Sequence, residues 1–386
     1  MKKKKTKQPS RRDLTILRQL VELIPAYLVP KLARETKIDD RARTFTAWSH
    51  TVTMIYAQVS HAFGLNDVCD ALRLQVTALF AMRKATPPAR NTLSHANKER
   101  DCVFAEKLFW KMLEHLQTQH VGFGRGGKNT LTRRFRRAIH VIDATTIQLV
   151  ANCMTWAKHR RRKAAAKCHL RLDLLSFLPR FAIVDTAGEH DNVRAPELCA
   201  GLCAGEIALF DKAYVHFVHL WQLTTRGVFW VTRAKDNLKV KVKKRLPKHA
   251  DSRILRDDLV VLQGVHTQKD YPQVLRRVTA LVEVDGKLKQ TVQLVDFLGN
   301  SANAVKWQVW TALLVHLLLR FLAWRDHWAH SFTRLFTYVR AALRLRRDLA
   351  ELLKNCGTAP GAGGLAAPSP QGELPGFNAL LMGQHA

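Results

Sequence analysis

The chain has 386 residues, with 62 Lys and Arg against 31 Asp and Glu, and its net charge is +31. Hydrophobic residues make up 47% of the sequence, which excludes a wholly disordered polycation. So high a charge is unusual for a metabolic enzyme and favours a phosphate-rich partner, because binding a nucleic acid releases its counterions. An anionic membrane surface is the competing interpretation. The length predicts two or three domains.

The N-terminus predicts a cytoplasmic protein. Its lysine-rich start, residues 1–13, is not followed by an apolar segment, so it is a basic disordered arm rather than a secretory signal. Seven cysteines without a Cys-x2-Cys pair disfavour a zinc site and suit a reducing compartment. The most apolar stretch, 310–324, carries His316 and Arg320 and is too short to span a bilayer, which predicts a core helix and no membrane contact.

Residues 14–121 predict an all-α N-terminal domain. Apolar side chains recur at threes and fours, as at Trp48, Val52 and Ile55. A helix start near Asn66 is either half of a helix-turn-helix or, as we favour, a simple packing partner. The glycine-rich residues 122–137 predict a basic linker; a phosphate-binding loop is disfavoured because no Gly-Lys-Ser/Thr follows.

The middle of the chain changes to short β-like segments and predicts an α/β domain. We divide it into a first core part, 138–227, and a β-rich insertion, 228–300. Residues 301–356 predict C-terminal helices that cover the sheet, and the Gly-, Pro- and Ala-rich 357–386 predict a disordered tail. The predicted strands are 138–142, 168–174, 179–184, 207–210, 228–232, 238–242, 259–262, 277–284 and 290–295, with a helix at 215–225.

Two carboxylates are candidates for catalysis because each ends an apolar strand, Asp143 after Ile142 and Asp211 after Phe210. On adjacent strands they would bind divalent cations, since Mg²⁺ prefers oxygen ligands and keeps several waters. Paired ions stabilise the attacking and leaving oxygens of a phosphodiester displacement. The alternative is that Asp143 caps a turn and Asp211 caps the following helix.

Basic runs surround these aspartates. Residues 125–171 hold thirteen Lys and Arg and one acid, Asp143, and residues 233–256 hold ten Lys and Arg and two acids. Lysines that alternate along one strand face would lie along a phosphate backbone; the alternative is a solvated edge strand protected by lysines. The candidate DNA-binding residues are Arg160, Arg161, Arg162, Lys163, Lys239, Lys241 and Lys243.

A set of motifs in the same order resembles the DDE-type transposases of bacterial insertion sequences, in the subgroup of the insertion-sequence-four family with an extra N-terminal domain. The similarity covers most of residues 14–350, and the motifs are specific as a set. They lie at 45–50, 54–58, 65–73, 92–97, 142–147, 167–173, 190–193, 229–235 and 301–306.

The resemblance implies a ribonuclease-H-like catalytic domain with a β-rich insertion, between an all-α N-terminal domain and C-terminal helices. It implies metal-dependent cleavage and joining of double-stranded DNA at inverted terminal repeats and at target DNA, with two Mg²⁺ or Mn²⁺ ions. Asp143 and Asp211 match the first and second catalytic aspartates. Such proteins often act as homodimers, and the implied place is the bacterial nucleoid within the cytoplasm.

The chain departs from the family pattern in two places. Lys212, Ala213 and Tyr214 follow the second aspartate where the family has Arg-Gly-Tyr, and losing the glycine strains a turn that needs positive φ. The helix with the third carboxylate, a Glu, is missing near 296–297, and neither Glu283 nor Glu351 matches its signature. We therefore expect a weakly active or inactive copy, internally deleted; the alternative is a non-catalytic DNA-binding remnant or a repurposed transposase.

Overall fold

The computed structural model describes residues 10–40, 42–62, 64–125, 137–149, 158–160, 163–186, 188, 190–235, 237–247, 253–280 and 298–355. Most of the predicted arm, most of the predicted linker, the tail, the strand at 290–295 and the place of the missing Glu helix at 296–297 lie outside these residues. The last residues of the arm, Arg11–Asp13, form a short 3₁₀ helix.

Helices make up the described N-terminal part, as the spacing of apolar residues predicts. Their starts follow capping chemistry: the Thr46 hydroxyl accepts from the Ser49 N–H and begins α3, and Thr15 caps α1 in the same way. The helix near Asn66 packs against its neighbours α3 and α6. The helices are α1 (Ile16–Val21), α2 (Leu28–Thr36), α3 (Ala47–Ser60), α4 (Leu65–Arg73), α5 (Val76–Phe80), α6 (Arg90–Glu99) and α7 (Val103–Gln119).

The C-terminal helices complete the core of this N-terminal part. They are α11 (Ala302–Arg325), α12 (Phe332–Ala342) and α13 (Leu349–Lys354). One cluster of buried side chains runs through α1 to α7 and these three helices, from Ile16 to Leu353. The prediction that they cover the sheet is confirmed only in part: α11 packs chiefly on α7 and α3, and a few of its side chains, such as Val305, pack against the sheet.

Polar residues of two motifs join α11 to the N-terminal helices. Asn303 donates to the Arg100 carbonyl (2.6 Å) and accepts from the Cys102 N–H (2.9 Å), and the Trp307 indole donates to the same Arg100 carbonyl (2.7 Å). Asn97 donates to the Leu298 carbonyl. These residues satisfy backbone groups that burial would otherwise leave unpaired.

Helix α11 is long and apolar enough to cross a membrane by length and composition alone, with a mean hydropathy of 1.3. Of the 18 residues that form its apolar stretch, 72% are buried within the protein. The burial on nearly all sides fits the prediction of a core helix for 310–324.

The middle of the chain forms a mixed six-stranded sheet in the order β2-β3-β1-β5-β6, with β4 paired to β3. Strands β1, β3 and β4 are antiparallel neighbours, whereas β1, β5 and β6 run parallel. Helices α8 (Asp191–Cys199) and α9 (Phe217–Thr225) connect these strands and share their core. The strands are β1 (Ile139–Leu149), β2 (Lys158–Arg160), β3 (Lys163–Asp173), β4 (Pro179–Thr186), β5 (Ile207–Phe210) and β6 (Phe229–Thr232).

A second, three-stranded antiparallel sheet follows. It is built from β7 (Val240–Arg245), β8 (Ile254–Leu262) and β9 (Leu275–Ala280), with α10 (Val265–Asp270) between the last two. Its inner side chains, among them Leu262 and Leu275, pack into the same core as α9. The protein is therefore a mixed α/β structure with helices at both ends and sheets in the middle.

Candidate active site

Asp143 lies inside β1 rather than at its end. Its neighbours Thr145, Thr146 and Ile147 are β-branched, and β1 continues through them in antiparallel pairing with β3 as far as Leu149. The predicted strand end at Asp143, and the turn it would cap, are therefore wrong. The parallel neighbour β5 does end here, because its pairing with β1 stops at Ile142 and Phe210.

The parallel register brings three polar side chains to one edge. Ile142 pairs with Phe210, and Phe210 pairs with Thr232, so Asp143, Asp211 and Arg233 are the next residues on three adjacent strands. Carboxyl ends of parallel strands are a frequent place for ligand sites. The two predicted catalytic aspartates are thus neighbours, beside an arginine that the sequence did not predict as a site residue.

Asp211 directly follows β5 and begins a short 3₁₀ helix, Lys212–Tyr214. Its Oδ1 accepts from the Lys212 N–H (2.5 Å) and from the Arg233 guanidinium (3.0 Å). Asp211 therefore caps a helix, as the alternative interpretation predicted, but that helix is only this single 3₁₀ turn. The expected strain at Ala213 is absent from this turn, since its residues have no positive φ.

Asp143 carries the clearest electrostatic signature of the site. Burial raises the pKa of its carboxyl to about 7; the negative charges of Asp211 and Asp191 act in the same direction, and the Ala144 N–H acts against it. Its Oδ2 is buried and has no hydrogen-bond partner among the described residues. A cation beside the carboxylate would supply the missing partner and stabilise the charged form.

Two carboxylate groups with a solvent-facing side fit a divalent cation by donor chemistry, because Mg²⁺ is often bound by one or two carboxylates and waters. Within the described ranges, however, no group of three His, Cys, Asp or Glu side chains could hold a metal. Nearby Asp191 pairs with Lys167 (2.8 Å), and Asp185 pairs with Arg194. Glu351 lies on α13 and pairs with Arg12. Among the described residues, the two aspartates therefore have no third acidic side chain free to join them.

A buried pair of side chains lies next to the turn that begins at Asp211. The Tyr214 hydroxyl and His169 Nδ1 are 3.0 Å apart, and both residues are buried. Burial raises the pKa of Tyr214 and lowers that of His169, so both stay neutral at pH 7. Tyr214 directly follows Lys212 and Ala213 in the aspartate motif; that adjacency is the one sequence signal for it.

An open cavity of about 430 Å³ lies beside Asp211, lined by Lys212, Ala213, Lys235 and Asn237. Two lysines on its wall favour an anionic occupant. Its size and openness suit a chain segment rather than an enclosed small molecule. The cavity therefore places an anion-attracting surface directly next to one of the two aspartates.

The lysines of β7 are not arranged as predicted. Lys239 precedes the strand, and a bulge shifts the register between Val242 and Lys244, so that Lys241 faces Val261 and Lys244 faces Leu259. Since Val261 and Leu259 are two residues apart, Lys241 shares its face with Lys244 and not with Lys243. Lys239, Lys241 and Lys243 stay candidates for DNA binding, and the register adds Lys244 to them, but the predicted alternation is wrong.

The other basic candidates are only partly within the described residues. Arg160 ends β2 and Lys163 begins β3, where they are paired across the two strands. Arg161 and Arg162 lie outside the described ranges. The backbone pairing keeps Arg160 and Lys163 together at the edge of the sheet, on the side of β3 away from β1.

Several known proteins are similar to this chain. It is 28% identical to "Putative transposase y4zB" of Sinorhizobium fredii (strain NBRC 101917 / NGR234), over 69% of this chain and 80% of that protein. It is 24% identical to the "Probable transposase for insertion sequence element IS5377" of Geobacillus stearothermophilus, over 49% and 58% of the two chains. It is also 24% identical to the "Transposase for insertion sequence element IS231E" of Bacillus thuringiensis subsp. finitimus, over 66% of this chain and 50% of that protein.

Among solved structures, the chain is similar to the cryo-EM structure of the piggyBac transposase synaptic complex with hairpin DNA. The TM-score is 0.36 at 11% identity, covering 92% of this chain and 82% of that chain. A likeness at this level does not define a fold.

Two protein families match the chain in sequence. Residues 12–82 match a domain of unknown function, DUF4372, and residues 134–354 match the family described as transposase DDE domain. The second match covers more than half of the chain and includes both Asp143 and Asp211. The chain therefore belongs to the DDE-type transposases of insertion sequences.

Proposed function

We propose that the chain binds double-stranded DNA at insertion-sequence ends and performs metal-dependent strand cleavage and transfer there with low activity. The observation that carries this proposal is the position of Asp143 and Asp211, which directly follow the paired residues Ile142 and Phe210 on adjacent parallel strands; an open basic cavity lies beside Asp211. The proposed partners are inverted terminal repeats and target DNA, and the proposed assembly is a homodimer. We place this reaction in the cytoplasm, at the nucleoid.

We further propose that the mixed sheet is a ribonuclease-H-like core and that β7 to β9 are its β-rich insertion. The order β3-β1-β5-β6, antiparallel on one side and parallel on the other, supports this assignment. It is also supported by the position of the two aspartates on the two central strands, β1 and β5. The proposed Glu deletion near 296–297 concerns residues that the structure does not describe.

In this proposal, the Asp143 and Asp211 carboxylates would hold a divalent cation, Mg²⁺ or Mn²⁺. When bound, the cation supplies positive charge that stabilises the attacking and leaving oxygens of the phosphodiester. Lys212 and Lys235 position the DNA backbone in the cavity beside Asp211. The hydrogen bond between Tyr214 and His169 holds in place the turn that Asp211 begins.

Low activity follows from the incomplete carboxylate set. Among the described residues, two acidic side chains meet at the site, whereas Asp191 and Asp185 are occupied by basic partners. Losing a metal ligand removes much of the stabilisation of charge in the transition state. The same observation favours the second candidate function, a non-catalytic DNA-binding remnant.

A cleavage assay on linear duplex DNA carrying the element's ends separates the two functions. We expect slow nicking with Mn²⁺ or Mg²⁺ that Asp143→Asn and Asp211→Asn abolish and that the distant Glu351→Gln leaves unchanged. DNA binding without any metal-dependent nicking would instead establish the non-catalytic function. Rapid cleavage by the unaltered chain would contradict the low activity, and nicking that survives Asp143→Asn would contradict the site.

A further inference from the structure

The position of Arg233 carries an inference that rests on the proposed metal-dependent function. Arg233 follows β6 directly, as Asp211 follows β5, and the register Phe210–Thr232 sets the two residues side by side. The Arg233 Nη2 donates to Asp211 Oδ1 at 3.0 Å. A fixed positive charge therefore contacts one of the two carboxylates that the proposed function assigns to a divalent cation.

We propose that Arg233 competes with the divalent cation for the Asp211 carboxylate in DNA-free protein, and that DNA phosphate relieves this competition. Arg233 is then a positioning residue that couples DNA binding to metal binding. The first half follows from charge: a carboxylate oxygen already shared between a backbone N–H and a guanidinium is a poorer ligand for a cation.

The second half follows from the surroundings of the pair. Asp211 belongs to this ion pair and also lines the cavity of about 430 Å³. Lys212 and Lys235 line the same cavity. A phosphodiester drawn into that cavity comes within reach of the long Arg233 side chain, which is 45% exposed. The planar guanidinium fork binds phosphate by two parallel hydrogen bonds, which a single carboxylate oxygen does not offer.

The two equilibria are linked by this exchange of partners. If DNA draws Arg233 away from Asp211, DNA tightens metal binding, and the metal tightens DNA binding by the same factor. The expected size is modest, because both side chains of the ion pair are partly exposed. Exposed ion pairs support about a two- to fivefold change in an equilibrium constant.

The test measures Mn²⁺ affinity of the purified full chain by calorimetry, without DNA and with a saturating random-sequence duplex. Three variants are compared with the unaltered chain: Arg233→Gln, Lys235→Gln as the matched control, and Asp211→Asn. Lys235 carries the same charge as Arg233, follows it by two residues and lines the cavity, and its Nζ donates to the Val215 carbonyl. Circular dichroism establishes that each variant is folded.

We expect Arg233→Gln to bind Mn²⁺ about two- to fivefold more tightly than the unaltered chain without DNA. Lys235→Gln should show less than half of that gain, because it removes charge without freeing Asp211. With DNA present, the difference between Arg233→Gln and the unaltered chain should shrink. Mn²⁺ binding by Arg233→Gln alone, and not by the unaltered chain, would also support the competition.

Equal gains for Arg233→Gln and Lys235→Gln would overturn the inference, since general repulsion would then explain both. So would unchanged affinity in Arg233→Gln while Asp211→Asn abolishes binding, an outcome that leaves the proposed metal site intact. Absence of Mn²⁺ binding in the unaltered chain and in Arg233→Gln alike would overturn the inference and the metal site together.

Discussion

The side chain of Asp143 lowers the stability of the folded protein. Its carboxyl is buried on a central strand, and its Oδ2 lacks a hydrogen-bond partner among the described residues. Burial raises its pKa to about 7, which means that the native protein resists ionising it. Such strain is common where a side chain is kept for binding rather than for folding.

Asp143→Asn should therefore stabilise the protein, and more so at high pH. The native carboxyl keeps its proton up to about pH 7, whereas the unfolded chain releases it near the ordinary aspartate pKa of 3.8, so stability falls as pH rises between these values. We expect the gain from Asp143→Asn to be larger at pH 8 than at pH 5, by on the order of 2 kcal/mol. Urea unfolding in EDTA measures it.

The exposed Asp70→Asn is the control for this prediction and should change stability little at either pH, since the Asp70 side chain is 71% exposed. A gain from Asp143→Asn that is the same at pH 5 and pH 8 would mean that the buried charge is not its source.

At the scale of elements, β7 shows how one extra residue changes a basic surface. The bulge after Val242 moves Lys244 onto the face of Lys241. On this face of the neighbouring strands, Arg276 is neutralised by Asp257 at 2.6 Å. Lys241 and Lys244 therefore contribute a larger share of the net charge of this face than a count of its basic residues suggests.

The DNA contacts of this face should follow the bulged register. If Lys241 and Lys244 both contact phosphates, the double variant Lys241→Gln, Lys244→Gln lowers the slope of log affinity against log salt by about 2. The pair Lys241→Gln, Lys243→Gln should lower it by about 1. Titrations of a duplex at several salt concentrations measure both slopes, and equal slopes for the two double variants would rule out the bulged face as the contact surface.

The sequence predicts the type and order of most elements. The features that it does not predict depend on the register between neighbouring strands. Apolar alternation predicts β5 and β6 nearly to the residue, and it places Asp211 at a strand end. It does not reveal that β1 continues past Asp143, because that extension depends on pairing with β3. The bulge at β7 and the contact of Arg233 with Asp211 likewise depend on neighbouring strands, which a single segment does not encode.

At the scale of the whole molecule, the helices from both ends of the described chain form one unit with a shared core. The Ile16 N–H donates to the Leu345 carbonyl (3.0 Å), and Gln19 joins Arg347 and Leu349. Helix α11 fills the center of that unit with Trp307, Leu318 and Phe321. Residues 10–125 alone thus lack a large part of their core.

A fragment of residues 1–125 should not unfold cooperatively by itself, because it exposes the apolar surface that α11 and α12 cover. Adding a separate fragment, 298–355, should restore a cooperative transition in thermal circular dichroism. A variant of the second fragment with Trp307→Ala should restore it poorly, since Trp307 is buried and stacks on Phe104 at 5.5 Å. A sharp transition in 1–125 alone would contradict this shared core.

The meeting of the two ends also has a consequence for the fate of incomplete chains. During synthesis the first helices emerge long before residues 298–355, so they wait for their partners throughout translation of the sheets. A premature stop or frameshift in the middle of the gene then yields a product with an open core, which cellular proteases remove. Damaged copies of such a gene should therefore yield no stable protein fragment that could occupy the DNA ends of intact insertion sequences.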